Sequence, residues 1–119
     1  MSTPAIALTL PWPPALNHLY RHVGPRVLLS RQGRDYKERA GFAAAVAGVR
    51  PLQGPLAVDL LLYRPRKAGD VDAYSKVLLD SMQGHLWEDD KQIVELHLYR
   101  RDDKANPRVE VRVWPVEGE

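Results

Sequence analysis

Leu56-Ala-Val-Asp-Leu-Leu-Leu-Tyr63 is the stretch on which the fold turns. Leu56, Val58, Leu60 and Leu62 alternate onto one face, and Leu61 and Tyr63 give the other face some apolar character. A strand of that pattern belongs well inside a sheet. It runs into the basic group Arg64-Pro-Arg66-Lys67, and Ala68-Gly69 then delivers the chain to Asp70. Basic and acidic side chains thus meet at one strand end.

Downstream, the spacing predicts a helix over about 71–83. Tyr74, Val77, Leu78, Ser81 and Met82 follow an i, i+3, i+4, i+7, i+8 stripe. Asp72, Lys76 and Asp80 fall together on the other side of it. Gly84 ends the helix, and a strand follows over 92–99 with Val94, Leu96 and Leu98 on one side and Asp89 and Asp90 at its entrance. After a turn over 101–107, Val109, Val111 and Val113 alternate with Glu110 and Arg112 in a last strand over 108–114.

Upstream, residues 5–10 read as an opening strand that ends at Pro11-Trp-Pro-Pro14. A rigid loop carrying Asn17, His18, Tyr20, Arg21 and His22 is expected next, and then a short strand at Val27-Leu-Leu29. Ser30 is placed to cap a helix running from about 32 to 49, with Tyr36 and Phe42 toward the core. The expected fold class is α/β with α+β character: a single domain, residues 1–119, with a small mixed β-sheet packed against two main helices.

Composition narrows the function classes. With 119 residues, 45% hydrophobic and 27% charged, the chain is an ordinary globular protein with no room for a separate cofactor domain. The absence of cysteine excludes disulfides, thiolate zinc sites and cysteine nucleophiles, and agrees with a cytoplasmic location. No apolar run approaches the roughly 20 residues that span a bilayer, so no membrane association is expected. His18 and His22 have i, i+4 spacing, but Gly24 and Pro25 oppose a regular helix there, and they read as loop residues. Trp12, Trp87 and Trp114 read as packing groups before base-stacking ones.

The acids carry the chemistry. Asp70, Asp72, Asp80, Glu88, Asp89 and Asp90 lie within 21 residues, with Lys76 among them. Carboxylates are the hard oxygen ligands that Mg²⁺ prefers, and Mg²⁺ commonly fills its remaining positions with water or phosphate. Either Asp70 or Asp72 alone is equally readable as a helix cap. If the strand after Asp90 pairs beside 56–63, Asp89 or Asp90 approaches the Asp70/Asp72 pair and a three-carboxylate pocket results. Such a pocket suits hydrolysis of a phosphate ester. Lys76 would contact the phosphate or form a plain i, i+4 salt bridge with Asp72 or Asp80. Arg64, Arg66 and Lys67 would hold backbone phosphates, with Arg31, Arg34 and Lys37 as weaker candidates.

Assembled in order, these residues resemble the RusA family of Holliday-junction resolvases. The resemblance rests on Leu10-Pro-Trp-Pro-Pro14, Asn17, Tyr20-Arg21, Ser30, Gly33 and Tyr36, and is strongest at Asp70-x-Asp72, Lys76, Asp80 and Trp87-Glu-Asp89-Asp90-x-Gln92-Ile93-Val94. It implies a Mg²⁺-dependent crossover junction endodeoxyribonuclease (Mn²⁺ substituting) that resolves four-way junctions by paired nicks in DNA recombination and repair. By the same resemblance Asp70, Asp72 and Asp90 are the catalytic metal-binding carboxylates and Lys76 a catalytic-site lysine. Asp89 and Asp80 are supporting residues, Asp89 also standing as a further metal ligand, and the protein is a homodimer on branched DNA. Ala73, where the family commonly has asparagine, and Gly69, where it commonly has a basic residue, depart from the pattern and bear on activity rather than fold. The alternative is a catalytically weak junction-binding protein that recognises branched DNA without efficient cleavage. A nucleotide- or sugar-phosphate enzyme built on the D-x-D pair is a third reading, for which the chain leaves little room.

Overall fold

The computed structural model describes residues 6–14, 18–65 and 73–116. The central strand is β4, Leu56–Arg64, which lies between two neighbours. On one side it pairs parallel with β5, Ile93–Asp102, and on the other antiparallel with β6, Arg108–Pro115. The opening strand β1, Ile6–Pro11, adds antiparallel to the outer side of β6, giving the mixed order β1-β6-β4-β5. Pro11 closes β1 without harm because β1 is an edge strand, where a missing amide donor leaves no ladder partner unsatisfied.

One face of this sheet carries the core. Leu56, Val58, Leu60 and Leu62 of β4 join Val109, Val111 and Val113 of β6 and Ile6 and Leu10 of β1. Two helices cover that face: α1, Arg31–Val46, and α2, Ser75–Met82. Tyr36, Ala40 and Ala44 face inward from α1; the two alanines let the helix approach the sheet closely, and the Tyr36 hydroxyl donates to the Pro11 carbonyl at 2.7 Å. From α2 the predicted stripe is buried at Val77, Leu78, Ser81 and Met82. The second face of β4 is also shielded. Asp59 there is buried and accepts from His97 Nδ1 at 2.8 Å, while the Arg108 guanidinium lies 3.8 Å from the Tyr63 ring centroid.

Four expectations are corrected. Tyr20–Val23 is not loop but strand β2, paired with β3, Arg26–Leu29, in a separate two-stranded hairpin. Gly24-Pro25 turns it: Gly24 takes φ 59°, which suits the first turn position, and proline fixes the next. Phe42 faces solvent at 72% exposure, because it stands two residues, about 200°, beyond the buried Ala40. Helix α1 ends at Val46, short of 49. Val94 is not on the core face, because the β4/β5 register shifts between Leu56 and Ala57 and gives β5 one extra residue. That bulge turns Ile93 toward the core and leaves Val94 exposed.

Ser30 caps α1 as expected, its side chain accepting from the Gly33 amide at 3.1 Å, and its hydroxyl donates to the His18 carbonyl. The hairpin is thereby tied to the start of α1. Gly33 has no room for a side chain: an added Cβ would sit 2.5 Å from the Leu19 carbonyl oxygen, which already accepts from the Ser30 amide. Backbone cannot yield as a flexible side chain would, so Gly33→Ala is expected to cost about 1–3 kcal/mol, read as a shift in the urea midpoint at unchanged m.

Candidate active site

The acids expected at the site divide between described and undescribed residues. Asp70, Asp72, Arg66 and Lys67 lie outside the described residues, as does Asn17. Lys76, Asp80, Asp89 and Asp90 are placed, and they lie around α2 and the entrance to β5. Lys76, in the first turn of α2, is well exposed and donates to Asp80 Oδ2 at 2.8 Å, the i, i+4 bridge. Tyr20 of the hairpin reaches the same oxygen across 3.4 Å, and the ammonium of Lys76 stands 5.9 Å from the Tyr20 ring centroid. The hydrogen bond to Asp80 raises the Lys76 pKa above its ordinary value, and the charge of Asp90 adds in the same direction. Lys76 therefore stays protonated. Burial, then the charge of Asp80, raises the Tyr20 pKa, so its hydroxyl stays protonated.

Asp90 is held by the core itself. Trp87 is fully buried, and its indole Nε1 donates to Asp90 Oδ1 at 2.7 Å. The Asp90 amide donates to the Gln83 side chain at 3.3 Å, so the end of α2 also fixes it. A tryptophan N–H buried beside one carboxylate oxygen orients that carboxylate without neutralising it. Asp89 has a different task. It is the N-cap of the short 3₁₀ turn Asp90–Gln92, where its side chain accepts from the Lys91 amide at 2.9 Å.

Three supporting roles had not been expected from the sequence. Gln92 completes a capping box: its Oε1 accepts from the Glu88 and Asp89 amides, while its Nε2 donates to the Leu52 and Gly54 carbonyls. Asp89-x-x-Gln92 was the available signal, since an N-cap acid followed three residues later by glutamine is the capping-box spacing. Lys37, expected as a weak phosphate contact, instead donates to the Asp80 and Gln83 carbonyls at 2.8 and 3.0 Å and so closes the C-terminal end of α2 onto α1. The Gln83 side chain, which receives the Asp90 amide, had no sequence signal.

Arg64 differs from its expected role. Its side chain is 8% exposed, and Nε and Nη2 both donate to Asp102 Oδ1, at 3.0 and 2.9 Å. The Arg64 carbonyl accepts from the Asp103 amide at 2.9 Å. Arg64 thus secures the crossing by which the chain leaves β5 and hops over the end of β4 into β6, and its guanidinium is not presented at the surface.

Among the described residues no group of three or more metal-capable side chains gathers. The donor chemistry nonetheless fits a hard divalent cation, because only one oxygen of Asp90 is used by Trp87 and the sequence supplies two further aspartates directly before α2. The Asp80 carboxylate is occupied by Lys76 and Tyr20 and serves to position the lysine.

The model of the endodeoxyribonuclease RusA family matches residues 11–114. The chain is 27% identical over 116 residues to the crossover junction endodeoxyribonuclease RusA of Escherichia coli strain K12, covering 95% of this chain and 97% of that protein. It is likewise 27% identical over 117 residues to the crossover junction endodeoxyribonuclease of Enterobacteria phage 82, covering 94% and 96% of the two chains. The Shigella sonnei protein of the same name is 27% identical over 116 residues. The stretch matched by the family runs from Pro11 through the hairpin, both helices and the Trp87–Asp90 contact to Trp114, and on that footing the chain belongs to the RusA family of endodeoxyribonucleases.

Proposed function

We propose that this protein resolves Holliday junctions as a homodimer, using a divalent cation, Mg²⁺ by preference, held by Asp70, Asp72 and Asp90. The observation that carries the reading is the Asp90 carboxylate, oriented by the buried Trp87 indole at 2.7 Å, with its backbone amide held by the Gln83 side chain at the end of α2. When bound, the cation supplies Lewis-acid polarisation of the scissile phosphate and a water of lowered pKa. Lys76 steadies negative charge on the phosphate, with Asp80 and Tyr20 holding the ammonium in place. Arg66 and Lys67, just past β4, hold the flanking strand by its phosphates.

A four-way junction has near two-fold symmetry, and a two-fold dimer offers one site to each of two opposed strands. Paired cutting follows from that match. The test is a supercoiled plasmid that extrudes a cruciform. A dimer cutting both strands converts it directly to linear DNA and leaves the relaxed form of the same plasmid intact. Accumulation of nicked circles with no linear product contradicts coordinated cutting.

A further inference from the structure

The β2/β3 hairpin forms a two-stranded sheet of its own, outside the main sheet and its helical layer. Its base is anchored at Leu19, which is fully buried, at Ser30, and at Tyr20, which reaches the Asp80 carboxylate that also holds Lys76. Its tip is stiffened by Gly24-Pro25. The outer half is exposed throughout, and apolar groups stand on both of its faces. Val23 is paired with Arg26 and is 41% exposed, while Val27, paired with His22, is 59% exposed. Because the two pairs are adjacent along the ladder, Val23 and Val27 point to opposite sides of the ribbon.

An apolar group on each face of a thin ribbon suits insertion between two surfaces better than packing onto one. Charge selects the surfaces. From residue 18 to 34 the chain carries four arginines and no carboxylate, and the register puts Arg21 and Arg26 on the same face of the ribbon as Val23. Two arginines beside an apolar tip complement a polyanion that offers apolar base faces where its stacking is interrupted.

We infer that this hairpin is a branch-point wedge: Val23 and Val27 enter between unstacked base pairs at the centre of a branched DNA while Arg21 and Arg26, on the Val23 face, hold the phosphates of the strand that lies against that face. The inference rests on the junction-cutting reading above. It adds a device for opening the branch point beside the acids, with Tyr20 linking the wedge to the Lys76–Asp80 pair.

The test uses a synthetic four-way junction with 2-aminopurine at the branch point, in EDTA, and a distal dye whose anisotropy reports saturation. Native protein is expected to raise 2-aminopurine fluorescence several-fold at saturation. Val23→Thr/Val27→Thr keeps shape and β-branching at exposed positions, so it folds, checked by urea denaturation; it is expected to bind the junction yet leave the fluorescence near its free value. Arg21→Gln/Arg26→Gln is expected to weaken binding and to reduce the slope of log K against log salt by about 0.9 for each phosphate no longer neutralised. A native-like fluorescence rise in the valine variant, or an unchanged salt slope in the arginine variant, overturns the wedge. So does a change of sedimentation coefficient in the valine variant with fluorescence intact, which would make the tip a subunit contact. Native protein that fails to bind the junction at all overturns the functional reading and the wedge with it, whereas binding in EDTA without unstacking, with cutting once Mg²⁺ is added, overturns the wedge alone.

Discussion

Asp90→Asn should abolish junction cleavage while leaving the protein folded and bound to DNA. Asparagine is isosteric, and its carbonyl oxygen can accept from the Trp87 indole as Asp90 Oδ1 does at 2.7 Å. The backbone bond from residue 90 to Gln83 is untouched. What is removed is one negative charge and one hard oxygen donor. Disturbing a residue that merely orients a metal ligand typically costs about 10–100-fold, so removing a ligand is expected to cost at least about 100-fold in single-turnover rate. Binding should hold or tighten, because a carboxylate near the phosphate backbone repels it. Asp89→Asn is the informative companion. Asparagine caps as well as aspartate, and the Asp89 side chain is engaged with the Lys91 amide, so that variant should retain most activity. Equal losses in the two variants would make Asp89 a ligand on the same footing as Asp90.

Trp87 should be the residue whose truncation harms both stability and activity most. It is fully buried, the largest such side chain described, and it joins the core to the candidate site. Trp87→Ala is expected to cost about 3–5 kcal/mol, a large part of the roughly 5–15 kcal/mol that holds a domain folded. Trp87→Phe separates packing from orientation. Phenylalanine refills much of the cavity but cannot donate to Asp90, and loss of a hydrogen bond to a charged group costs about 1.5–3 kcal/mol. With the carboxylate released, the Mg²⁺ concentration for half-maximal cleavage should rise about 10–100-fold. Urea denaturation gives the first number and a metal titration of the cleavage rate the second. A phenylalanine variant with a normal metal requirement would mean that the indole packs without orienting.

The main sheet was legible because its signals were periodic. The β4 alternation, the α2 stripe and the Val109-Val111-Val113 strand each appear in the structure, since burial on one face imposes a period that sequence displays directly. The hairpin was not legible in full: Tyr20–Val23 buries no residue, and a solvated ribbon needs no alternation. Phe42 misled because bulk suggested core, whereas α1 contacts the sheet through Ala40 and Ala44. The bulge at Val94 inverted the reading of the first residues of β5, a backbone event with no compositional mark. At the site, residue type pointed to the acids and Lys76, but not to their supports. Arg64 shares its sequence neighbourhood with Arg66 and Lys67, and only the position of Asp102 across the strand end distinguishes a buried structural arginine from a surface one.

The central claim is metal-dependent cutting of a branched substrate. Its most direct test is an end-labelled four-way junction incubated with native protein in Mg²⁺ or in EDTA, beside linear duplex of the same sequence. The account predicts nicks on two opposed strands of the junction in Mg²⁺, none in EDTA and none in duplex. Tight junction binding without nicks in Mg²⁺ or Mn²⁺ would contradict it and favour a protein that recognises branched DNA without cutting it, with Ala73 and Gly69 the first positions to change, to asparagine and to a basic residue.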